Sequence, residues 1–309
     1  PWRLPSFGVK LTISHFVRCA VLAKEADYDG IEIMGSEGYL INQFIAACTN
    51  KRNDQWGGSF QNRIRFPLEI VRQIREKVGA HFIIIFRLSM LDLIAGGSTW
   101  EEVVSLGKQL EEAGVTIINT GIGWHESRIP TIATKVPRAN FAFATKKMRS
   151  QINIPLVATN RINAPEDIER LLEQEYCDLV SMARPFLADP EFVKKAKNGD
   201  PHLINTCIAC NQACLDHVFQ KQEASCLVNP WACKESLMPV VKAKTNKKIA
   251  VVGAGPAGIS FAITAAQRGY KVVIFEKSSE IGGQFNLAKK IPGKEEFYET
   301  LRYFNNQLK

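Results

Sequence analysis

The first two thirds of the chain alternate short β-branched runs with helical patterns, and this alternation restricts the possible folds more than any other feature. Five strand–helix units follow one another in this part of the sequence. Their predicted strands are Gly30–Met34, Phe82–Leu88, Val115–Gly121, Pro155–Asn160 and Asp178–Arg184. Strands that alternate with helices are joined by crossover connections, which place them parallel to one another. The sequence therefore predicts an α/β fold with a parallel sheet.

The predicted helices carry recognisable ends, which supports the alternation. Thr99 followed by Glu102 forms a capping box, in which each residue satisfies a backbone N–H of the first helical turn. Asn163 with Glu166 repeats this start signal before a later helix. Pro67 lies inside a third helical pattern, so that helix is expected to begin late or to bend.

Two parallel-sheet architectures fit the pattern, an open doubly wound sheet and a closed eight-stranded barrel. In a barrel, functional residues gather at the carboxyl ends of the strands. The polar and aromatic residues that follow the predicted strands here are Glu37, Tyr39, Arg87, His125, Arg161 and Arg184. We therefore favour the barrel, which leaves three of its strands unaccounted for.

The alternation stops near Pro201, where a different organisation begins. A cysteine-rich connector extends from there to about Lys248, and a new strand over Lys248–Val252 opens a second α/β unit. A chain of 309 residues also exceeds the size at which one hydrophobic core usually keeps growing. We predict a barrel part over 1–200, a cysteine-rich segment over 201–247 and a second α/β unit over 248–309.

The formal charge of +8 does not by itself identify a partner. The basic residues are scattered among acidic ones, so phosphate-bearing small molecules or a plain solvated surface explain the excess as well as nucleic acid does. No run approaches the ~18 uninterrupted apolar residues that a membrane span requires, and PWRLPSFGVK lacks the apolar stretch of a signal peptide. We expect a soluble cytoplasmic protein with no nucleic-acid partner and no membrane contact.

Four cysteines of the connector have a spacing that indicates a metal site. Cys207, Cys210, Cys214 and Cys226 form the pattern C-x2-C-x3-C-x11-C. Four thiolates can hold a 4Fe–4S cluster or a tetrahedral zinc ion. Zinc sites more often use two separated C-x2-C pairs, so three close ligands and one distant ligand favour the cluster. The cysteines that we interpret as small apolar packing residues are Cys19, Cys48, Cys177 and Cys233.

A dinucleotide-binding fingerprint follows the connector. Gly253, Gly255 and Gly258 lie between a predicted strand and a helix, and Glu276 ends the next strand. The glycines permit a tight turn at the helix N-terminus, where a pyrophosphate binds, and Glu276 can bind ribose hydroxyls. An acidic residue suits FAD or NAD and repels a ribose 2′-phosphate. Gln284 follows another glycine turn, which is either a further flavin contact or an ordinary turn.

Several motifs together resemble those of one enzyme family. They are GSEGYLINQF (35–44), NDQWGGSFQNRIRF (53–66), FRLSM (86–90), NTGIGWHE (119–126), SMARPF (181–186), GAGPAG (253–258) and the cysteine spacing. The combination is similar to the bacterial 2,4-dienoyl-CoA reductases, iron–sulfur members of the NADH:flavin oxidoreductase / old yellow enzyme family. That resemblance implies an FMN-binding barrel joined to FAD-binding and NADPH-binding domains.

The resemblance also implies which part of such an enzyme is present. The first predicted strand corresponds to the fourth of eight barrel strands, and the chain stops inside the FAD-binding domain. We therefore expect a partial TIM (β/α)8 barrel (strands 4–8), an iron–sulfur segment and the start of a Rossmann-like FAD-binding domain. The chain is expected to be cut at both ends, so by itself it need not bind FMN or be active.

The activity implied by the resemblance is the NADPH-dependent reduction of 2,4-dienoyl-CoA in the β-oxidation of unsaturated fatty acids. Electrons would pass from NADPH through FAD and the 4Fe–4S cluster to FMN. By the same resemblance, Arg87, Arg161 and Arg184 contact FMN, with Ala183 contributing backbone beside Arg184. The alternative interpretation of each arginine is a structural ion pair.

Two residues correspond to the proton-donating pair of that reductase family, Tyr39 and His125. Many old-yellow-type barrels have a histidine and a second histidine or asparagine where this chain has Met34 and Glu37. That departure counts against a simple enone reductase. Arg128, close behind His125, is a candidate contact for coenzyme A phosphates or an ordinary solvated residue.

Two kinds of rival remain. A trimethylamine dehydrogenase or a bile-acid enoate reductase would share the barrel, the cluster and the FAD domain. A binding protein that is stabilised by a structural zinc ion and has no catalytic activity would share only the folds. We expect a monomeric enzyme of the dienoyl-CoA type.

Overall fold

The computed structural model describes residues 4–309, which form two compact units. The first unit contains the residues up to Thr131 together with Arg138–Ile162 and Glu166–Ser181. The second contains Ile132–Pro137, Asn163–Pro165 and Met182–Lys309.

The first unit is built on a parallel sheet of five strands. The strands are β1 (Gly30–Gly35), β2 (Ile83–Leu91), β3 (Ile117–Ile122), β4 (Leu156–Ala158) and β5 (Leu179–Val180). Their order in the sheet is the order of the sequence, and every neighbouring pair is parallel. The prediction of a parallel α/β fold is confirmed. Consecutive strands of a TIM barrel have this order, whereas a doubly wound sheet reverses it at a switch point.

A polar layer joins alternate strands of this sheet. The Asn119 side chain on β3 donates to the Glu32 carboxylate on β1 at 2.8 Å, and Ser181, directly after β5, donates to Asn119 at 3.4 Å. The inward-pointing layers of a TIM barrel are likewise built by alternate strands. The first unit therefore has the internal pattern of a barrel as well as its strand order.

The helices of this part of the chain are α1 (Ser6–Glu25), α2 (Leu40–Ile45), α3 (Phe60–Val78), α4 (Trp100–Glu112), α5 (Ala142–Arg149) and α6 (Pro165–Glu173). The capping box of α4 is confirmed, because Thr99 Oγ1 accepts from Glu102 N and the Glu102 carboxylate accepts from Thr99 N. The expected late start of α3 is wrong. Ser59 caps this helix, which begins at Phe60 and continues through Pro67.

Much of the apolar core of the first unit comes from α3 and β2. Fully buried residues from both are Ile64, Phe66, Ile70, Ile74, Ile84 and Phe86. Each such side chain contributes about 1.5–3 kcal/mol through the apolar surface that it removes from water. This burial explains why α3 tolerates Pro67, since its apolar stripe outweighs one missing backbone hydrogen bond.

All five predicted strands have somewhat different ends in the structure, and the last two are much shorter than predicted. The strand predicted over Pro155–Asn160 is shorter, because Asn160 adopts a left-handed backbone (φ 69°) that cannot extend a strand. The strand predicted over Asp178–Arg184 is reduced to two residues, and Arg184 begins a helix instead. Pro185 favours that change, since its fixed φ is suited to a first helical turn.

Helix α1 has the length and mean composition that would allow it to cross a membrane, a property that core helices and signal sequences share. Lys10 and Arg18 interrupt its apolar residues, and its Phe16 ring meets Phe66 of α3 edge to face, with 6.5 Å between the centroids.

The second unit combines the cysteine segment with a β–α–β motif. Strands β6 (Lys248–Val252) and β7 (Lys271–Phe275) are parallel neighbours. Its helices are α7 (Arg184–Ala188), α8 (Phe192–Lys197), α9 (Leu215–Phe219), α10 (Pro256–Gln267), α11 (Phe285–Ala288) and α12 (Tyr298–Gln307), with 3₁₀ turns at Pro201–Leu203 and Glu295–Phe297. Ala254, Ile259 and Phe304 form a small core.

The predicted cap at Asn163 is wrong. The Asn163 amide does not bond the first turn of α6 but donates to the Cys207 carbonyl and to the Glu296 carboxylate, both at 2.6 Å. This side chain therefore ties the cysteine segment to the 3₁₀ turn that precedes α12.

Candidate active site and cofactor sites

The first unit brings Tyr39 and His125 together at the carboxyl end of the sheet. Tyr39 follows β1 and His125 follows β3, and the phenol oxygen lies 2.9 Å from His125 Nε2. The rings meet edge to face, with 5.2 Å between the centroids. Tyr39 is 48% exposed, so its hydroxyl is accessible to a bound molecule. A phenol in contact with an imidazole can donate a proton to a substrate.

The loop that carries Tyr39 has a backbone that only glycine adopts easily. Gly38 has a φ of +81°, and a Cβ at this position would lie 2.8 Å from the Trp124 ring. Its N–H donates to the Asn42 side chain at 3.0 Å. The close approach of Gly38 to Trp124 brings the Tyr39 loop against the residue that precedes His125.

Arg87, which we predicted to contact FMN, forms an ion pair with Glu37. The Arg87 Nη2–Glu37 Oε1 distance is 2.9 Å, and Arg87 Nε donates to both carboxylate oxygens at 3.1 and 3.2 Å. The two side chains are only 20% and 15% exposed. Glu37 also has a left-handed backbone, with a φ of +54°. The sequence marked Glu37 as unusual but did not predict this pairing, which lies across neighbouring strands.

The other predicted FMN contacts are divided between the units. Arg161 is buried after β4 in the first unit and has a φ of +59°. Ala183 and Arg184 are in the second unit, where Arg184 Nη1 donates to the Asn211 side chain at 2.5 Å. Asn211 lies inside the cysteine segment. Arg128 is exposed on the loop that follows His125 in the sequence.

The four predicted cluster ligands line one pocket of the second unit. Cys207, Cys210, Cys214 and Cys226 share it with Arg184 and apolar residues. Left-handed backbone at positions 209 and 211, on both sides of Cys210, turns the chain tightly here. Within residues 4–309, no three His, Cys, Asp or Glu side chains converge as the ligands of a single metal ion do.

Cys207 is buried and the other three cysteines of this pocket are partly buried, which changes the acidity of their thiols. Burial raises the pKa of Cys210, with nearby Cys207 and Cys214 adding to the effect, and it raises the pKa of Cys226 to about 11. Metal binding must therefore displace protons from these groups. Four soft donors in a pocket of low polarity suit iron–sulfur chemistry.

The nucleotide fingerprint of the second unit forms an open groove of about 750 Å³. Gly253, Gly255, Glu276 and Gln284 line it together, so the second glycine turn does lie beside the first. A Cβ at Gly258 would lie 2.1 Å from the Gly253 carbonyl oxygen, so only glycine allows this packing of helix on strand.

Glu276 follows β7 and connects the end of this strand to the end of β6. Its carboxylate accepts from Ala254 N at 2.7 Å and from Ser278 N at 2.9 Å, and these backbone hydrogen bonds lower its pKa. The position of a carboxylate beside the glycine turn fits recognition of a ribose.

Asp92 belongs to the same end of the sheet but was missed in the sequence. It follows β2 directly and is buried, with the Trp124 indole N–H donating to it at 2.8 Å. The rule that functional residues follow parallel strands could have found it. Its neighbours in the sequence are apolar, however, and gave no signal of a polar network.

Comparison with known proteins gives two matched families. The NADH:flavin oxidoreductase / NADH oxidase family matches residues 4–202, and an NAD(P)-binding Rossmann-like domain matches residues 251–305. The first match covers more than half of the chain and includes Tyr39, Arg87 and His125.

Among characterised proteins, a metal reductase of Desulforamulus reducens is 42% identical over 306 residues, which is 99% of this chain and 46% of that protein. An NADH oxidase of Thermoanaerobacter brockii is 42% identical over 298 residues, 95% of this chain and 46% of that protein. The chain thus spans about half the length of these curated relatives. A solved complex of 2-naphthoyl-CoA reductase with 2-naphthoyl-CoA has a TM-score of 0.95 and 37% identity, covering 97% of this chain and 46% of the other.

Proposed function

Because the chain belongs to the NADH:flavin oxidoreductase / NADH oxidase family, we propose that this protein reduces a conjugated carbon–carbon double bond of 2,4-dienoyl-CoA. The observation that carries the proposal is the 2.9 Å contact between Tyr39 and His125 at the carboxyl end of the sheet. The similarity to a structure that holds an aromatic acyl-CoA supports the thioester class of substrate.

The residues of this chain would hold three redox groups. Arg87 and Arg161 would bind FMN, with Arg184 and Ala183 as further contacts. Cys207, Cys210, Cys214 and Cys226 would bind a 4Fe–4S cluster. The residues that would bind FAD are Gly253, Gly255, Gly258, Glu276 and Gln284. Together these groups would supply the hydride and the path for electrons from NADPH, since flavins exchange one or two electrons and a cluster exchanges one.

Proton delivery is the task that the chain's own residues perform. Addition of hydride to a conjugated thioester leaves an enolate-like charge, and one carbon of that system must then be protonated. The Tyr39 hydroxyl is exposed at the edge of the sheet and can donate this proton. With a proton on Nε2, His125 donates a hydrogen bond to the tyrosinate that forms and so lowers its energy.

The test compares Tyr39→Phe with the wild type in the full-length protein. We expect the reduction of 2,4-dienoyl-CoA to slow by about 10²–10⁴-fold, the effect of losing a positioned acid, while flavin reduction by NADPH is retained. His125→Ala should act in the same direction, and the double variant should be little worse than the more damaging single one. Tyr28→Phe, which removes the hydroxyl of another exposed tyrosine, is the matched control. Normal turnover of Tyr39→Phe at full FMN content would refute the role.

A substrate panel and a metal analysis separate the rival functions. Turnover of trimethylamine or a bile-acid enoate in preference to dienoyl-CoA would assign the protein to a related flavoenzyme. Iron and acid-labile sulfide support the cluster, whereas zinc alone would indicate the non-catalytic binding protein. NADH in place of NADPH tests the nicotinamide cofactor.

Further proposals concern the substrate and the state of the protein. Arg128 would contact coenzyme A phosphates, so Arg128→Glu should raise KM for the acyl-CoA more than for a short acyl thioester that lacks the nucleotide. Equal effects on both thioesters would reject this contact. We also propose a cytoplasmic monomer without membrane or nucleic-acid partners, which cell fractionation and sedimentation would test.

A further inference from the structure

Asp92 is a buried carboxylate at the edge of the sheet that carries Tyr39 and His125. It is 4% exposed and accepts hydrogen bonds from four neutral groups. Ser89 Oγ, Asn42 Nδ2 and Trp124 Nε1 donate to Oδ1 at 2.6, 3.3 and 2.8 Å, and Ser98 N donates to Oδ2 at 2.7 Å. Hydrogen bonds to an ionised acceptor are roughly twice as strong as neutral ones, so this carboxylate can hold its partners firmly.

One side of this network leads to Tyr39. The Asn42 side chain is 1% exposed and acts as a bridge, because its amide donates to Asp92 and its Oδ1 accepts from Gly38 N at 3.0 Å. Gly38 immediately precedes Tyr39. Two hydrogen bonds in series therefore connect the Asp92 carboxylate to the backbone of the proton-donor loop.

The other side of the network leads to His125. Trp124 immediately precedes His125 and is bound to Asp92 twice, since its indole donates to the carboxylate and its backbone N–H donates to the Asp92 carbonyl at 3.0 Å. Trp124 is 7% exposed, whereas the His125 ring lies at the surface. The position of the imidazole thus depends on how its buried neighbour is held.

We infer that Asp92 is the positioning residue that sets the Tyr39–His125 contact by holding both loops, a role that deepens the proposed function and rests on it. Neither ring is fixed by close packing of its own, because Tyr39 is half exposed and His125 is exposed. The relative position of the two rings therefore depends on the backbone of the loops that carry them. Asp92 connects these two loops through Asn42 and Trp124. A misplacement of about 1 Å in a catalytic arrangement can cost about 10²-fold in rate.

The test uses Asp92→Asn in the full-length protein. The variant keeps the shape but replaces one acceptor oxygen with a donor and removes the charge. We expect dienoyl-CoA reduction to fall by about 10–10²-fold, while flavin reduction by NADPH and electron transfer to ferricyanide, which need no proton from Tyr39, stay unchanged. Asp54→Asn, which alters a carboxylate bound to Arg52 in the same unit, should leave all three rates unchanged.

A double-variant comparison separates positioning from general destabilisation. If Asp92 acts through Tyr39, then Asp92→Asn should add little to the defect of Tyr39→Phe, since effects within one unit do not add. Multiplied defects would overturn the inference, as would an equal loss of all three rates. Trp124→Phe keeps an aromatic ring but removes the indole N–H together with the five-membered ring that carries it, and it should lower the same rate.

A spectroscopic readout makes the inference independent of turnover. The ¹⁵N resonances of His125 can be assigned by comparison with His125→Ala. Asp92→Asn should shift the His125 Nε2 resonance in the same direction as Tyr39→Phe does, because both weaken the 2.9 Å contact. An unchanged resonance in Asp92→Asn would overturn the inference. Failure of the proposed function would instead appear in the wild type, as absence of dienoyl-CoA reduction.

Discussion

Gly38→Ala tests the packing that brings the Tyr39 loop and the His125 loop together. The added Cβ would lie 2.8 Å from Trp124 Cε3 and 3.0 Å from Cδ2, closer than van der Waals contact allows. The Trp124 ring cannot easily retreat, because it is 7% exposed and its indole is bound to Asp92. The substitution should therefore displace the Tyr39 loop from the His125 loop.

Gly58→Ala provides the matched control, and the comparison gives the magnitude. Gly38 and Gly58 have φ values of +81° and +80°, so both substitutions carry the same left-handed strain of roughly 1–2 kcal/mol. A Cβ at Gly58 would meet only the Arg52 carbonyl, at an ordinary 3.8 Å. Overpacking in a tight site costs about 1–3 kcal/mol. We expect Gly38→Ala to lower the free energy of unfolding by that additional amount.

Amide hydrogen exchange is the suitable assay, because a chain of two units need not unfold in one step. Exchange in peptides from α3 and β2 reports on the first unit alone. If Tyr39 donates the proton, as we propose, Gly38→Ala should also slow dienoyl-CoA reduction, while Gly58→Ala keeps it normal. Equal exchange rates in the two variants would refute the steric argument, and normal turnover of Gly38→Ala would show that the loop spacing is not set there.

Three further predictions concern the helix cap, the cofactor sites and a buried thiol. Thr99→Ala should destabilise the first unit by about 0.5–2 kcal/mol in the same exchange assay, and no change would show that the capping box is not formed in solution. Cys226→Ser should lose iron and sulfide in metal analysis, whereas Cys233→Ser should keep both. Glu276→Gln should lower the FAD content in flavin analysis. The opposite pattern in either analysis would contradict these assignments. Burial raises the pKa of Cys177, and only the thiolate reacts, so its alkylation should be slow at neutral pH and faster as the pH rises towards that pKa; rapid alkylation at neutral pH would contradict its burial.

Short-range features of this protein were readable from the sequence. The capping box of Thr99 and Glu102 joins residues only three positions apart, so its energy depends on local geometry alone. The Gly253 turn, its helix and Glu276 form one β–α–β motif whose spacing is fixed by the lengths of its elements. Gln284 lines the same groove as Gly253 and Gly255, because a second glycine turn follows the second strand closely.

Local signals failed where a residue had a stronger partner elsewhere. Asn163 has the sequence context of a helix cap, but its amide binds the Cys207 carbonyl and Glu296, which lies 133 positions away. Arg184 lies at the end of a predicted strand, yet Pro185 and the bond to Asn211 place it at a helix start. In both cases a tertiary contact or a backbone constraint outweighed the local propensity.

The sequence by itself determined the parallel α/β fold, the nucleotide fingerprint and the identity of the residues that follow the strands, since these depend on periodicity and short spacing. Only the tertiary structure decided which of those residues meet. Tyr39 reaches His125 across 86 positions and Arg87 reaches Glu37 across 50 positions. Asp92 acquires its role from Asn42 and Trp124, 50 and 32 positions away. Such contacts depend on strand register and on how closely two loops approach, and no local pattern encodes either.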